Sequence, residues 1–221
     1  MMKINSSEYW NRRFSSGDWE EKKGRQQTLA FAKEQVARFD IPNSFSGKIL
    51  DFGCGLGDAM PIYKQKYPNA KLIGVDHSKQ GIKKCCQKYA HLATFIVGSS
   101  EDIPTVDTII SSNVFEHLSN DVLVAEALLR KCKKLFIIVP YKEPVGRILE
   151  HEHINSYDDD SFASLPCLRK VVYKSAGLGS LTWMAILYQV WFKNIFRLLK
   201  RGKVSKYKAP QEIMFEFQGK L

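Results

Sequence analysis

The sequence predicts a doubly wound α/β fold, in which a mostly parallel sheet carries helices on both of its faces. Apolar runs of five or six residues alternate with helical segments between residues 48 and 140. Strands that are buried on both faces have such near-continuous apolar runs, and parallel strands need crossover connections between them. A glycine-rich turn joins the first run to the next helix, as in sheets of this class that bind nucleotides.

The elements follow in order along the chain. A polar segment with scattered aromatic residues precedes a predicted helix over about residues 26–39. The predicted strands are then KILDFG, KLIGVD, TFIVG, VDTIISS and KLFIIVP, and the helices are DAMPIYKQKY, SKQGIKKCCQKYA and NDVLVAEALLRKC. Pro61 suits the first turn of its helix, and Ser78 is expected to cap the helix that follows it.

The alternation ends at Pro140. Residues 141–167 are predicted as loop, apart from one short helix expected after Tyr157. A strand (LRKVVYKS), a long helix over about residues 181–200 and a last strand (EIMFEFQ) complete the prediction. No segment has the roughly 20 uninterrupted apolar residues that span a membrane.

The composition is that of a globular protein whose basic charge is concentrated in one region. Hydrophobic residues make up 44% and charged residues 25%, which excludes a disordered or collagen-like chain. The formal net charge is +10, from 33 Lys and Arg against 23 Asp and Glu. Ten basic residues lie between Arg169 and Lys208, a span without acidic residues, so the rest is formally neutral. This excess favours an anionic partner.

The cysteines indicate a reducing compartment. There are five, at irregular spacings and without a CxxC pair, so neither a disulfide framework nor a zinc knuckle is predicted. The first residues contain no apolar segment typical of a secretory signal. We therefore expect a cytoplasmic protein.

The most specific motif is DFGCGLGD, residues 51–58, between the first predicted strand and its helix. Asp76 closes the second predicted strand, 19 residues after Gly57. In a nucleotide site of this type, glycines let the ligand approach the backbone, and the carboxylate at the tip of the second strand binds ribose hydroxyls. The spacing therefore predicts a ligand that contains a ribose.

The charge near this loop favours one class of nucleotide. Asp51 and Asp58 flank the position where a dinucleotide would place its pyrophosphate. Two carboxylates there would repel a pyrophosphate by about a few kcal/mol in a partly dry site. They suit a cationic ligand that has a ribose and no phosphate, such as S-adenosylmethionine. The loop therefore favours a methyl donor over NAD.

The segments ILDFGCGLGDA and IGVDHS resemble the first two motifs of class I S-adenosylmethionine-dependent methyltransferases. The resemblance continues through VGSSEDIP, DTIISSNVFEHL and LFIIVP and covers roughly residues 45–140. It implies a seven-stranded Rossmann-like methyltransferase fold with S-adenosylmethionine as cofactor. We divide one predicted domain, 1–221, into N-terminal cap helices (1–46), a cofactor-binding core (47–140), a variable acceptor or lid region (141–210) and a last strand (211–218).

The resemblance also implies roles for individual residues. Gly53 and Gly55 would approach the methionine part of the cofactor, Asp51 would steer it, and Asp76 would hold the ribose hydroxyls. His77, Ser100 and Glu101 would lie around the adenine, although Ser99 stands where many relatives have Asp. The remaining cofactor candidates are Cys54, Gly57, Asn113 and, from the N-terminal segment, Arg25, with Tyr9 and Trp19 as further candidates.

The candidate catalytic residues are Glu116 and His117, because the family commonly has a Glu-His pair near the reactive methyl group. Methyl transfer requires an aligned acceptor and, for a hydroxyl, removal of a proton, which a histidine can perform near neutral pH. The alternative is that the pair only organises the loop. No NPPY-like or Pro-Cys motif follows the fourth strand, which favours an oxygen acceptor on a small molecule or glycan. The candidate acceptor-binding residues are Tyr141, His151 and His153.

A metal ion is not predicted. Glu116 and His117 resemble part of the metal-assisted pattern of ubiquinone-pathway O-methyltransferases, but Asn113 stands where that pattern has a carboxylate. Losing an anionic ligand weakens a site for a hard cation. His151, Glu152 and His153 alternate in a loop, where neighbouring side chains point in different directions, so an acceptor-binding or structural role is favoured.

The role of the long helix, the partner of the basic region and the catalytic activity each leave an alternative open. The helix over residues 181–200 either closes the acceptor pocket or lies on a membrane surface, and residues 181–208 would then contact anionic lipid. The basic surface over residues 169–208 would instead suit an RNA methyltransferase, although no RNA-binding module accompanies it. A non-catalytic cofactor-binding or interaction protein is the third alternative.

Overall fold

The computed structural model describes residues 3–143, 145, 152–175, 191, 194–195, 198–200 and 210–221. Its sheet has seven strands in the order β3-β2-β1-β4-β5-β7-β6. The strands are β1 (Lys48–Phe52), β2 (Lys71–Asp76), β3 (Ala93–Val97), β4 (Val106–Ser112), β5 (Cys132–Pro140), β6 (Cys167–Lys174) and β7 (Gln211–Gln218). The first five are parallel, while β7 is antiparallel to both β5 and β6. The predicted doubly wound, mostly parallel sheet is confirmed.

Helices cover both faces of the sheet. They are α1 (Ser7–Ser15), α2 (Asp18–Glu21), α3 (Gly24–Gln35), α4 (Met60–Lys66), α5 (Lys79–Tyr89) and α6 (Asp121–Leu129), with a 3-10 turn at Phe115–His117. Pro61 lies in the first turn of α4. Ser78 caps α5, because its hydroxyl accepts a hydrogen bond from the Gly81 N–H at 3.0 Å. The two sides of the sheet bury separate apolar clusters, and Leu50, Ile109 and Phe136 are fully buried within them.

The short helix expected after Tyr157 is wrong, because residues 159–164 form turns. The Asp158 carboxylate accepts hydrogen bonds from the Asp160 N–H at 3.0 Å and the Ser161 hydroxyl at 3.1 Å. Phe162 has φ of +59°, which a right-handed helix cannot continue through. Its ring instead stacks on Tyr157, with centroids 5.3 Å apart.

The long helix predicted over residues 181–200 lies mostly outside the described residues, as does the linker that follows it. Within the described part of the chain, no helix has the length and apolarity needed to cross a bilayer.

Candidate functional site

A cavity of about 1400 Å³ lies where the parallel strands end at their carboxyl edge. Thirteen of the residues singled out in the sequence line it: Asp51, Gly53, Cys54, Gly55, Asp76, His77, Ser100, Glu101, Asn113, Glu116, His117, Tyr141 and His153. Arg25 and Gly57 are not among its lining residues, and His151 lies outside the described residues. The topology thus brings the glycine loop and the Glu-His pair into one cavity.

The glycine loop is built by close backbone packing. Gly53 and Gly55 have φ of +78° and +54°, values that side chains disfavour. A Cβ atom at Gly53 would come within 2.3 Å of the Val114 side chain. Gly57, with φ of +71°, faces Cys85 and Tyr89, so its contacts are with helix α5. The loop therefore presents bare backbone to the cavity at Gly53, while Gly57 serves packing.

Asp76 lies at the end of β2 and holds the glycine loop in place by a hydrogen bond. Its carboxylate accepts hydrogen bonds from the Gly55 N–H at 2.9 Å and the Ser78 N–H at 2.8 Å. Burial raises the pKa of Asp76, although the Ser78 N–H, His77 and the Gly55 N–H all favour its charged form. The side chain is therefore both an anion in the cavity and a brace for the loop.

The two other carboxylates near the loop differ in their charge compensation. Burial, followed by the charge of Asp76, raises the pKa of Asp51 to about 7. Asp58 is ion-paired with Lys88 at 2.7 Å and with Arg25 at 3.5 Å, and it also accepts the Tyr89 hydroxyl at 2.7 Å. These cations compensate the charge of Asp58, so Asp58 does not repel a pyrophosphate as expected from the sequence. A pyrophosphate would instead have to lie beside the buried carboxyl groups of Asp51 and Asp76.

Raising the pH is expected to destabilise the ligand-free protein between about pH 4 and 8. The folded pKa values of Asp51, about 7, and Glu116, about 8, lie above their ordinary values of 3.8 and 4.5. Such groups stabilise the fold below the unfolded pKa, and this contribution is lost as pH rises through the folded pKa. Thermal melts across this range should show a falling Tm. Asp51→Asn should flatten the slope, and an unchanged slope in that variant would contradict the assignment.

The end of β3 holds the predicted adenine contacts. Ser100 is buried and Glu101 is exposed, and both line the cavity. Ser99, at the position that departs from the family pattern, donates its N–H and its hydroxyl to the Asp102 carboxylate, each at 2.8 Å. The hydroxyl therefore organises the turn after β3.

Helices α1 and α2 cover the cavity with aromatic side chains. Trp10, Phe14 and Trp19 line it and contact one another, with centroids 5.6 to 6.5 Å apart. Asn11 ties α1 to the loop after β2, because its side-chain oxygen accepts the Ser78 hydroxyl at 2.8 Å. Tyr9 contacts Glu152 instead of lining the cavity. The sequence had indicated Trp19 here but not Trp10 or Phe14, whose spacing of four residues on one helix was the available signal.

Arg13 and Glu152 form an interaction that the sequence analysis missed. The two side chains make an ion pair, and the Tyr9 hydroxyl also donates to Glu152. Arg13 lies over the Trp10 and Trp19 rings, 5.7 and 5.6 Å from their centroids. This contact joins the N-terminal cap to the segment after β5. Its partners are 139 residues apart, so no local pattern could reveal it.

A second polar cluster consists of Glu116, His117 and His153, which we call the Glu-His-His cluster. Their ligand-type atoms all lie within 4.8 Å of one another, and the two imidazole centroids are 4.9 Å apart. Burial raises the pKa of Glu116 to about 8. Burial disfavours charged His153, but a hydrogen bond with Glu143 at 2.8 Å and the charge of Glu116 outweigh it and raise its pKa. Asparagine and tyrosine side chains secure the segment that carries His153.

That segment is held against the 3-10 turn by several hydrogen bonds. The Ile154 N–H donates to the Glu116 carbonyl at 2.8 Å, and the Asn155 amide donates to the Leu118 carbonyl at 2.6 Å. The Tyr157 hydroxyl donates to the Phe115 carbonyl at 2.8 Å. Side chains alternate along this extended segment as expected, so Glu152 faces the N-terminal cap while His153 faces Glu116.

Two other candidates have specific neighbours. Asn113 has φ of +55°, and its amide donates to the Ser112 hydroxyl at 3.1 Å and to Glu212 at 3.3 Å. The Tyr141 hydroxyl donates to Asp159 at 2.5 Å at the cavity rim. Within the described part of the basic region, Arg169 pairs with Glu216 and Lys170 with the Asp159 carbonyl.

Comparison with known proteins supports the interpretation of this core. Residues 49–136 match the family model described as a methyltransferase domain. Trans-aconitate 2-methyltransferase of Azoarcus sp. (strain BH72) is 27% identical in an alignment of 138 residues that covers 56% of this chain and 54% of that protein. The chain thus spans about half the length of this curated relative.

Two solved structures share the fold. Coclaurine N-methyltransferase bound to N-methylheliamine and SAH matches with a TM-score of 0.61 and 14% identity, covering 86% of this chain and 72% of that one. The plantazolicin methyltransferase BpumL in complex with SAH matches with a TM-score of 0.58 and 14% identity, covering 98% and 96%. The core at residues 49–136 is therefore similar to a methyltransferase domain, and the chain shares its fold with two methyltransferases whose structures contain SAH.

Proposed function

We propose that this protein transfers the methyl group of S-adenosylmethionine to a hydroxyl oxygen of a small-molecule or glycan acceptor. The observation that carries the proposal is the shared cavity, which joins the Asp76 carboxyl group and a bare glycine loop to a cluster of titratable side chains. An enzyme that transfers a group must hold donor and acceptor in line, so its cavity needs one region that binds the donor and one that binds the acceptor. Methyltransferases are also the family that its core matches.

The donor end suits a cationic cofactor. Asp51 and Asp76 are both buried, and burial raises the pKa of each, since it disfavours the charged carboxylate; the charge of Asp76 raises the pKa of Asp51 further. A cation bound beside them would favour their charged forms. The ammonium and sulfonium groups of S-adenosylmethionine would supply that cation, with the methionine part against Gly53 and Gly55. The ribose would then lie at Asp76 and the adenine beside His77, Ser100 and Glu101.

The acceptor end would align the reacting oxygen and remove its proton. Glu116 and His117 are the proposed catalytic residues, and Tyr141 and His153 the proposed acceptor-binding residues. A cytoplasmic location stays a prediction. Contact of residues 181–208 with an anionic membrane also stays a prediction, since that segment lies mostly outside the described residues. If the acceptor resembled the trans-aconitate named for the relative, the acceptor oxygen would belong to a carboxylate.

The test is transfer of labelled methyl from S-adenosylmethionine to small-molecule, polysaccharide and RNA fractions of a cell extract. Label should enter a small-molecule or glycan fraction, and Glu116→Gln and His117→Ala should each lower the rate about 100-fold or more, the lower end of what a general base contributes. His91→Ala, at an exposed site in the turn after α5, is the matched control. Label in RNA would favour the RNA alternative. Donor binding without transfer to any fraction would favour a non-catalytic protein.

A further inference from the structure

The Glu-His-His cluster contains a carboxylate without a hydrogen-bond partner. Glu116 is 1% exposed, and neither of its carboxylate oxygens has a partner among the described residues. Buried polar groups are nearly always hydrogen-bonded, so an orphaned carboxylate requires an explanation. The nearest charged neighbour is His153, whose Nε2 lies 3.9 Å from Glu116 Oε1, too far for a hydrogen bond. The gap between these two atoms is suited to a third atom bound by both.

Both imidazoles are oriented through their Nδ1 atoms. His153 Nδ1 lies 2.8 Å from the Glu143 carboxylate, and His117 Nδ1 lies 3.2 Å from the Glu152 carbonyl. A carbonyl oxygen only accepts, and an ionised carboxylate also only accepts, so each Nδ1 carries the proton and donates. In the neutral ring, Nε2 is then the nitrogen with a lone pair. Metal-binding histidines are commonly held in this way.

The supporting groups are themselves fixed. The Glu152 carbonyl also accepts the Asn5 amide at 2.7 Å, and the Glu152 side chain is held by Arg13 and Tyr9. His117 packs edge-on against Trp10, with centroids 5.3 Å apart. The N-terminal cap therefore sets the position of one imidazole, and Glu143 sets that of the other.

From this geometry, and resting on the proposed function, we propose that Glu116, His117 and His153 bind one divalent transition-metal ion of the Zn²⁺ class. Two nitrogens and one oxygen suit such an ion better than Mg²⁺ or Ca²⁺, which prefer oxygen ligands. Ligand atoms in a tetrahedral zinc site lie roughly 3.3 Å apart. The observed 3.9 Å between His153 and Glu116 therefore needs only a small side-chain adjustment.

No metal was predicted from the sequence because one carboxylate ligand of the related pattern is missing, and this site has a different third ligand. Asn113 lacks the carboxylate of the related pattern, but its amide is engaged with Ser112 and Glu212. The third ligand comes instead from His153, 36 residues beyond His117 in the chain. A tetrahedral ion held by three protein ligands would leave one position for the acceptor oxygen and would lower the pKa of its hydroxyl. Glu116 and His117 would then promote loss of that proton by holding the ion, without accepting the proton themselves.

The test is metal binding by untagged, chelator-treated protein, measured by calorimetry with Zn²⁺ and by the visible absorption of bound Co²⁺. One ion should bind per chain, and Mg²⁺ should not compete. Glu116→Gln and His153→Gln should abolish the Co²⁺ spectrum, and Glu143→Ala, which removes a positioning contact, should weaken affinity about 10-fold or more. His91→Ala should bind as the wild type does.

Binding that survives the Glu116 and His153 substitutions, or no stoichiometric binding by the wild type, would overturn the proposal, and so would a preference for Mg²⁺. Because Glu116 is buried, its variant is checked by circular dichroism, and His153→Gln, at a half-buried position, is the independent variant. S-adenosylhomocysteine binding is measured on the same samples. Cofactor binding without metal binding refutes only the metal site, whereas metal binding without cofactor binding refutes the proposed function.

Discussion

Asp76→Ala is expected to lower the affinity for S-adenosylhomocysteine about 100-fold or more. Each hydrogen bond from a ribose hydroxyl to a carboxylate contributes about 1.5–3 kcal/mol, and two such bonds are lost together. The substitution also removes the acceptor of the Gly55 N–H, so the glycine loop loses its brace. Calorimetric titration measures this effect directly.

Two further variants separate binding from folding. Asp40→Ala removes a surface carboxylate whose side chain is 78% exposed, and it should leave affinity unchanged. Asp76→Asn keeps the shape and one acceptor, so its loss should be intermediate. If Asp76→Ala retains its circular dichroism spectrum and binds the cofactor as tightly as the wild type, Asp76 does not hold the ribose.

Gly53→Ala is expected to destabilise the protein by about 3 kcal/mol and to weaken cofactor binding. A left-handed conformation costs a non-glycine residue about 1–2 kcal/mol, and overpacking costs about 1–3 kcal/mol more. The second cost arises because the new methyl group would lie 2.3 Å from Val114. At this chain length, Tm should fall by about 6–12 °C.

Gly17→Ala is the matched control for this prediction. Gly17 also has a positive φ, +86°, but a Cβ atom there would meet nothing within 4 Å. It should therefore show the conformational cost alone, with cofactor affinity unchanged. Equal destabilisation in the two variants would mean that the contact with Val114 does not constrain the loop.

Much of the sheet could be predicted because each strand carries its own signal. Strands β1, β2, β4 and β5 lie inside the sheet and are mostly buried, and their sequences are therefore largely apolar. Ser78 marks the start of α5 in the way that helix caps commonly do. Local patterns were less informative after Pro140. The turn at residues 158–162 depends on the left-handed Phe162 and its packing on Tyr157, which is a tertiary contact.

One part of the candidate site could likewise be predicted from local sequence, while another part depends on contacts between distant residues. The glycine loop and Asp76 lie on adjacent strands at a fixed spacing, so the sequence placed them together. The Glu-His-His cluster depends on Ile154 and Asn155 binding the 3-10 turn, which brings His153 to Glu116. The ion pair that compensates the charge of Asp58 could not be predicted from local sequence either, because Lys88 is 30 residues away in the chain. Long-range pairing of this kind has no local signature.

The central claim is that this cavity binds S-adenosylmethionine by its ribose and cationic groups and not a dinucleotide. Calorimetric titration of the wild-type protein with S-adenosylhomocysteine and with NAD tests it most directly. We expect one S-adenosylhomocysteine per chain and no measurable heat from NAD, because its pyrophosphate would have to lie beside the buried carboxyl groups of Asp51 and Asp76. Binding of NAD, or no binding of S-adenosylhomocysteine, would contradict the account.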